Sequence, residues 1–280
     1  MSFQVLFCII NNNIRALAVI LFTGDTFMIT CSLASGSKGN SFFIKSNNTR
    51  ILIDAGISSK QICLRLDSIG ESPENIDAIF ITHEHSDHLK GVRVFTKKFK
   101  IPVFVSKLIP LEIFEGIENI EFFLCGDTIR FKDLEISSYQ IPHDTVDPMG
   151  FIVRNNGNAI GIATDIGKAT YLIKEKIRTC STVFLEFNHD EEMLVTGSYP
   201  WHLKQRIRSN QGHLSNMDAI NLLKEINSDY LKNIFISHIS EQNNSYRKIK
   251  EDILKNLSKD MKNKRFYFTF QGKVSNVVNG

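Results

Sequence analysis

Three histidines and an aspartate fall within six residues, as His83-x-His85-x-Asp87-His88, directly behind the apolar run Ala78–Ile81. A buried strand followed at once by four groups able to bind a metal restricts this chain more than any other stretch. Side chains alternate along a strand, but they converge once the chain leaves it in a loop. Imidazole nitrogen with a carboxylate suits zinc, manganese or iron. The cluster holds more donors than one tetrahedral ion takes, so it points to a pair of ions.

The same placement recurs. His143 follows the strand-like run Leu134–Tyr139, Asp165 follows Ile160–Thr164, and His238 follows Ile234–Ser237. Singly, each reads as a cap or a satisfied histidine. Together they argue for one site assembled from strand ends. His189 and His202 lack a strand end, and they read as surface or substrate-groove residues.

The rest of the chain supplies the frame. Phe42–Ile44 and Ile51–Ile53 flank an Asn47-Asn48 turn and predict a hairpin. Ser58–Ile69 has apolar residues at helical spacing and stops at Gly70. Further helices are predicted over 91–99, 171–177, 217–226 and 245–262, and strands over 102–105, 122–124, 134–139, 151–153, 160–162, 183–185 and 234–236. Hairpin strands alternating with helices predict an α/β chain, with two packed sheets and helices outside. The 280 residues are 42% hydrophobic and 22% charged, the range of a soluble globular protein. A net charge of +3 neither marks nor excludes a nucleic-acid binder. The five cysteines are scattered and form no CxxC pair, which argues against a disulfide framework or zinc finger and for the reducing cytoplasm.

The N-terminus stands apart. Phe3–Ile10 and Ala16–Phe22 are apolar runs broken by Asn11–Asn13, too short for the ~20 residues that span a bilayer. No good cleavage site follows. Met28 precedes the first regular strand, so residues 1–27 are expected to be an extension outside the fold, from a start assigned too far upstream. Residues 28–280 are expected to form one domain.

Thr82–His88 resembles the HxHxDH signature of the metallo-β-lactamase superfamily. Asp54, closing Ile51–Ile53, resembles the buried aspartate after that fold's early hairpin. Ser35–Asn40, Leu185–Asp190, Tyr199–Trp201, Leu203–Ile207, Gly212–Asn216 and His238–Asn244 together resemble the bacterial YycJ/WalJ branch, which is similar to tRNase Z and RNase J. The resemblance runs from about Met28 to Asn244, with no β-CASP insertion between Asp165 and His238. It implies a four-layer αβ/βα fold of two similar halves, with metal ligands in loops along one edge. It assigns His83, His85 and His143 to one divalent ion and Asp87, His88 and His238 to a second, with Asp165 bridging them. Zinc or manganese is the implied metal.

The implied activity is that of a dinuclear-metal phosphodiesterase, most specifically a 5′-to-3′ DNA exonuclease. A tRNase Z-like RNA-processing nuclease is the alternative, and a small-molecule thioester or lactone hydrolase a further one. Adjacent divalent ions activate water and bind a phosphodiester oxygen, and Asp87 would orient that water. The leaving alkoxide needs a proton. The resemblance implies that His213 supplies it, with Glu186 holding the ring; a cap on the helix after it is the competing reading. Ser37 and Asn40 lie in a small-residue loop that either cradles a phosphate or makes a tight turn. Trp201, Lys204 and Arg206 put an aromatic among cations, a composition that suits a nucleic-acid strand as well as a solvated helix face. Residues 247–265 carry eight basic and three acidic side chains, usually a solvated helix face. The expected partner is nucleic acid, DNA before RNA, and no membrane.

Overall fold

The computed structural model describes residues 6–8, 28–257, 261 and 263–279. In chain order, β1 (Leu6–Cys8) is followed by β2 (Ile29–Ala34), β3 (Ser41–Lys45) and β4 (Arg50–Ile53), which form a meander. Then come α1 (Ser59–Asp67), β5 (Ala78–Phe80), α2 (Ser86–Leu89), α3 (Val92–Phe99), β6 (Val103–Ser106) and β7 (Ile120–Phe123). A second meander, β8 (Thr128–Phe131), β9 (Leu134–Gln140), β10 (Met149–Asn155) and β11 (Asn158–Ala163), opens the other half. It continues through α4 (Tyr171–Ile177), β12 (Thr182–Glu186), α5 (Glu191–Thr196), α6 (Trp201–Arg208), α7 (Asn216–Ile226), β13 (Asn233–Ser237), α8 (Tyr246–Asn256) and β14 (Arg265–Phe268). Last, β15 (Val278–Asn279) returns to pair with β2.

The strands form two mixed sheets, ordered β15-β2-β3-β4-β5-β6-β7 and β1-β14-β13-β12-β11-β10-β9-β8. Each half starts antiparallel and then turns parallel, from β4 to β7 and from β11 to β14. Parallel neighbours need crossovers, which places helices on the outer faces.

The two-residue period of each strand assigns the layers. Ile51 and Ile53 of β4 face the opposite sheet, where Ile160, Ile162, Phe184 and Phe235 meet them. Leu52 between them packs with Ile62, Leu66 and Phe95 of α1 and α3. Val183, Leu185, Ile234 and Ile236 of the second sheet face α4, α7 and α8 instead. The result is the four-layer α/β/β/α sandwich implied by the resemblance. Phe80 anchors the inter-sheet layer, stacked on Phe104 with centroids 4.4 Å apart and edge-on to Phe151. Truncating such a ring to Ala costs about 3–5 kcal/mol.

Two expectations change. Leu6–Cys8 pair in parallel with β14 at the sheet edge, so part of the N-terminal stretch expected to lie outside the fold joins a sheet. The remainder of residues 1–27 lies outside the described residues. Helix α8 ends at Asn256 rather than continuing to Lys262, because Leu257 leaves helical backbone and turns into the helix-facing core. Residues 258–260 and 262 of the expected helix lie outside the described residues. Cys31, Cys63, Cys125 and Cys180 are free thiols. Among the described residues no helix is long and apolar enough to cross a membrane.

Candidate active site

The sheets end along one edge of the sandwich, and there the chain turns sharply. Asp54, Asp165 and His238 follow β4, β11 and β13, and all three adopt left-handed backbone, with φ of 62°, 59° and 52°. That conformation breaks the strand alternation and swings the side chain into the edge. For a residue with a Cβ it costs on the order of 1–3 kcal/mol. The first turn of α2 is pressed against Gly56, where an added Cβ would meet the Asp87 carbonyl oxygen at 1.6 Å. Only glycine allows that approach.

The ring nitrogens of His83, His85 and His143 lie within 4.8 Å of one another, and those of His83 and His88 do the same with Asp165. Asp165 Oδ2 is 3.5 Å from His88 Nε2, and its Oδ1 is 3.4 Å from His238 Nε2. Asp87 Oδ2 sits 3.5 Å from His88 Nε2 and 4.0 Å from His238 Nε2. The seven residues singled out in the sequence as ligands therefore come together, with Asp165 between the two groups.

Four of the rings are aimed from behind. Asp54 Oδ2 accepts from His88 Nδ1 at 2.7 Å, and Thr82 donates to the same carboxylate through N–H and hydroxyl, both at 2.9 Å. The His143 Nδ1–H donates to the Gly212 carbonyl at 3.3 Å. Glu186 Oε1 accepts from both His213 Nδ1, at 2.8 Å, and His238 Nδ1, at 2.9 Å, while Oε2 accepts from Ile166 N at 2.7 Å. Holding one ring nitrogen fixes which nitrogen faces forward, the usual outer shell of a metal-binding histidine.

The electrostatics favour a cation. Burial opposes charge on His238, but Asp165 and Glu186 outweigh it and push the imidazole up to about 9. Burial likewise opposes charge on His88, and Asp54 and Asp165 raise it well above the usual histidine range. Burial and the neighbouring imidazoles hold His83 well below that range. Burial works to raise Glu186, yet its histidine partners hold it below the ordinary carboxylate range. His83 Nε2, Asp165 Oδ2 and His238 Nε2 are buried without a hydrogen-bond partner. Each such orphan costs about 1–3 kcal/mol unless something else binds it, and nitrogen with carboxylate oxygen is a donor set for zinc or manganese. The cluster is thus suited to metal binding.

A cavity of about 280 Å³ opens over the cluster and is lined among others by Ser37, Asp144, Tyr199, Arg206, His213 and Ser240. Arg206 Nε pairs with Asp144 on its wall. Ser37 is exposed at its rim.

Other expected substrate contacts lie differently. Lys204 is buried, and its ammonium donates to the carbonyls of Val195 and Gly197 at 2.7 and 2.6 Å. It closes the C-terminus of α5 and presents no charge to a substrate. Asn40 is buried as well, and its amide donates to Asp87 Oδ2 at 3.2 Å and to the Gly36 carbonyl. It supports a cluster residue rather than facing the cavity. The small-residue loop is a turn and no phosphate cradle, because the N–H groups of Ser35, Gly36, Lys38, Gly39 and Asn40 are already hydrogen-bonded. Trp201 is 60% exposed at the start of α6, outside the lining of the cavity. His189 is buried, not on the surface, and burial lowers it to about 4.

Asn188 is a supporting residue that sequence reasoning missed. Its amide donates to the His238 carbonyl at 3.1 Å. Its only signal was its place in the Leu185–Asp190 segment.

A two-sheet sandwich with such a cluster at its strand ends is the architecture of one superfamily, and the family pattern of the metallo-beta-lactamase superfamily matches residues 34–169. The chain belongs to this superfamily of metal-dependent hydrolases. It is 35% identical over 223 residues to the exodeoxyribonuclease WalJ of Streptococcus pneumoniae serotype 2, covering 76% of this chain and 81% of that one. It is 35% identical over 217 residues to the exodeoxyribonuclease YycJ of Bacillus anthracis, covering 76% and 82%. Among solved structures, the metallo-beta-lactamase fold protein YhfI of Bacillus subtilis shares the fold at a TM-score of 0.67 and 12% identity, over 88% of this chain and 98% of that one.

Proposed function

We propose that this protein is a 5′-to-3′ exodeoxyribonuclease that works in the cytoplasm with two divalent ions, zinc or manganese. One observation carries the reading: a half-buried His213 held by the buried Glu186 stands against the ligand cluster, in a chain 35% identical to two exodeoxyribonucleases over three quarters of its length.

When bound, the ions supply Lewis acidity and an activated water. The chain does the rest. His83, His85 and His143 would hold one ion, and Asp87, His88 and His238 the other, with Asp165 placed to serve either. Asp87, one oxygen of which is tied by Asn40, orients the attacking water toward phosphorus. Glu186 takes the Nδ1–H of His213 and leaves Nε2 to face the cavity, where the imidazolium gives its proton to the leaving sugar oxygen. A positioned general acid contributes about 10²–10⁴ in rate. Ser37 and Arg206 contact the phosphate from the cavity wall, and Trp201 lies farther along the strand's path.

Duplex DNA, single-stranded DNA and RNA carrying a 5′ label, digested side by side with Mn²⁺ or Zn²⁺, test this reading. Labelled mononucleotide should appear first, and from DNA. Preferred cleavage of RNA would favour the tRNase Z-like alternative. Turnover of thioesters or lactones with intact oligonucleotides would favour the small-molecule hydrolase.

A further inference from the structure

Beside the histidine cavity lies a second hollow of about 550 Å³, walled by the 239–246 segment and the turn at 270–273. The two hollows share Ser240. Ile239 and Ser240 follow directly on His238, so the Ser240 Cα lies within ~7 Å of that residue's. A strand whose phosphate sits at the cluster reaches this hollow with its next nucleotide.

The wall is aromatic and cationic. Tyr246 is 44% exposed, its ring centroid 5.4 Å from that of Phe270 and 5.1 Å from that of Phe268, which it meets edge-on. Lys273 Nζ lies 4.3 Å from the Phe270 centroid. Glu241 is the one carboxylate among the lining residues, and Lys38 pairs with it at 2.5 Å. The paired ammonium offsets the acid's charge beside a phosphate.

Much of the polar surface of the hollow is already engaged. The Gln271 amide accepts from Lys38 N at 2.8 Å and donates to the Gly39 carbonyl at 3.0 Å, and Ser245 caps α8. What remains on offer is a ring face and a positive charge, with no free donor–acceptor set to read a base edge. That combination binds single strands without regard to sequence, as an enzyme moving along a strand requires.

We propose that this hollow is a nucleotide subsite, in which one unpaired base of the DNA strand, next to the hydrolysed phosphate, stacks on Tyr246 while Lys273 holds its phosphate. The assignment rests on the exodeoxyribonuclease reading of the neighbouring cluster and adds where the strand runs beyond it.

The test compares KM for single-stranded DNA with KM for bis(p-nitrophenyl) phosphate, a phosphodiester too small to fill the hollow, in the Mn²⁺-loaded enzyme. Tyr246→Ala and Lys273→Ala should each raise the DNA value relative to the small ester by about fivefold or more, the lower end for a lost stacking platform. Tyr246→Phe should restore the wild-type ratio. An abasic nucleotide walked along the strand should reveal one position that costs the wild type the same factor and costs Tyr246→Ala nothing further. Unchanged ratios in both alanine variants, or no abasic position that couples to Tyr246, would overturn the subsite while wild-type digestion leaves the nuclease reading standing. If the wild type turns over the small ester but no DNA, the nuclease reading fails and the subsite falls with it.

Discussion

Glu186→Gln probes the site at its most connected atom pair. The carboxylate accepts from two imidazoles through Oε1, and through Oε2 from the backbone N–H groups of Ile166 and Leu214, at 2.7 and 3.4 Å. An amide offers one oxygen and one NH₂, so no orientation satisfies all four donors. If the NH₂ faces the backbone, two buried N–H groups lose their acceptor, at about 1–3 kcal/mol each. If it faces the rings, His213 and His238 must move their protons to Nε2. That blocks the nitrogen His238 turns toward Asp87 and Asp165, and losing such an outer partner lowers metal affinity about 10–100-fold. It also keeps His213 Nδ1 unprotonated and so disfavours the imidazolium that acts as general acid, for a loss of about 10²–10⁴ in kcat. Chelator competition measures the first effect, and kcat at saturating Mn²⁺ the second. His213→Ala separates them: it should lower kcat by the same factor and leave metal affinity within about threefold. A Glu186→Gln enzyme that binds metal and turns over DNA like the wild type would refute the assignment of this carboxylate.

Metal affinity should rise with pH, because a proton on His238, held up to about 9, competes with the ion; each pH unit below that value costs up to about tenfold in apparent affinity per displaced proton. Proton release on metal addition, followed with an indicator dye, checks the sign. His189 is depressed to about 4 in the folded chain, whereas the unfolded residue titrates near ~6.5. The unfolded state therefore binds the extra proton between those values, and stability falls as pH drops through that window, by at most about 3 kcal/mol. Urea melts of His189→Gln should show a shallower acid-side loss than the wild type and the same stability trend above pH ~6.5. Lys204→Met should destabilise the fold by about 2 kcal/mol through the lost charged hydrogen bonds to the end of α5, yet leave KM for DNA nearly unmoved; a large KM effect would return Lys204 to the substrate path.

The clustering of histidine and aspartate at this edge was legible because His143, Asp165 and His238 each stand where an apolar strand runs out, and a strand end is visible in one dimension. The layers were legible for the same reason: Ile51, Leu52 and Ile53 alternate between two cores. Lys204 was misread because charge was weighed without helix phase. Leu203, Lys204 and Ile207 share one side of α6, the side that packs inward, so spacing alone would have turned the lysine in. Asn40 and Asn188 act through contacts 47 and 50 residues away along the chain, which no local pattern encodes. The backbone of the Ser35–Asn40 loop is consumed by Gln271 and Phe270 from the far end of the chain, equally invisible to a local reading. His189 lies three residues past β12, and its backbone is bridged to Ser215 and accepts from Asn216 N, contacts no local pattern encodes.

We propose that the cluster at the strand ends hydrolyses DNA from a 5′ terminus. The most direct test follows 5′-labelled duplex DNA with Mn²⁺, using the wild type and Asp87→Ala, each with its metal content measured by mass spectrometry. Release of labelled mononucleotide by the wild type and its loss in Asp87→Ala, by at least about 10²-fold, is the predicted result. Digestion that survives Asp87→Ala, or a metal-loaded wild type that releases nothing, would contradict it.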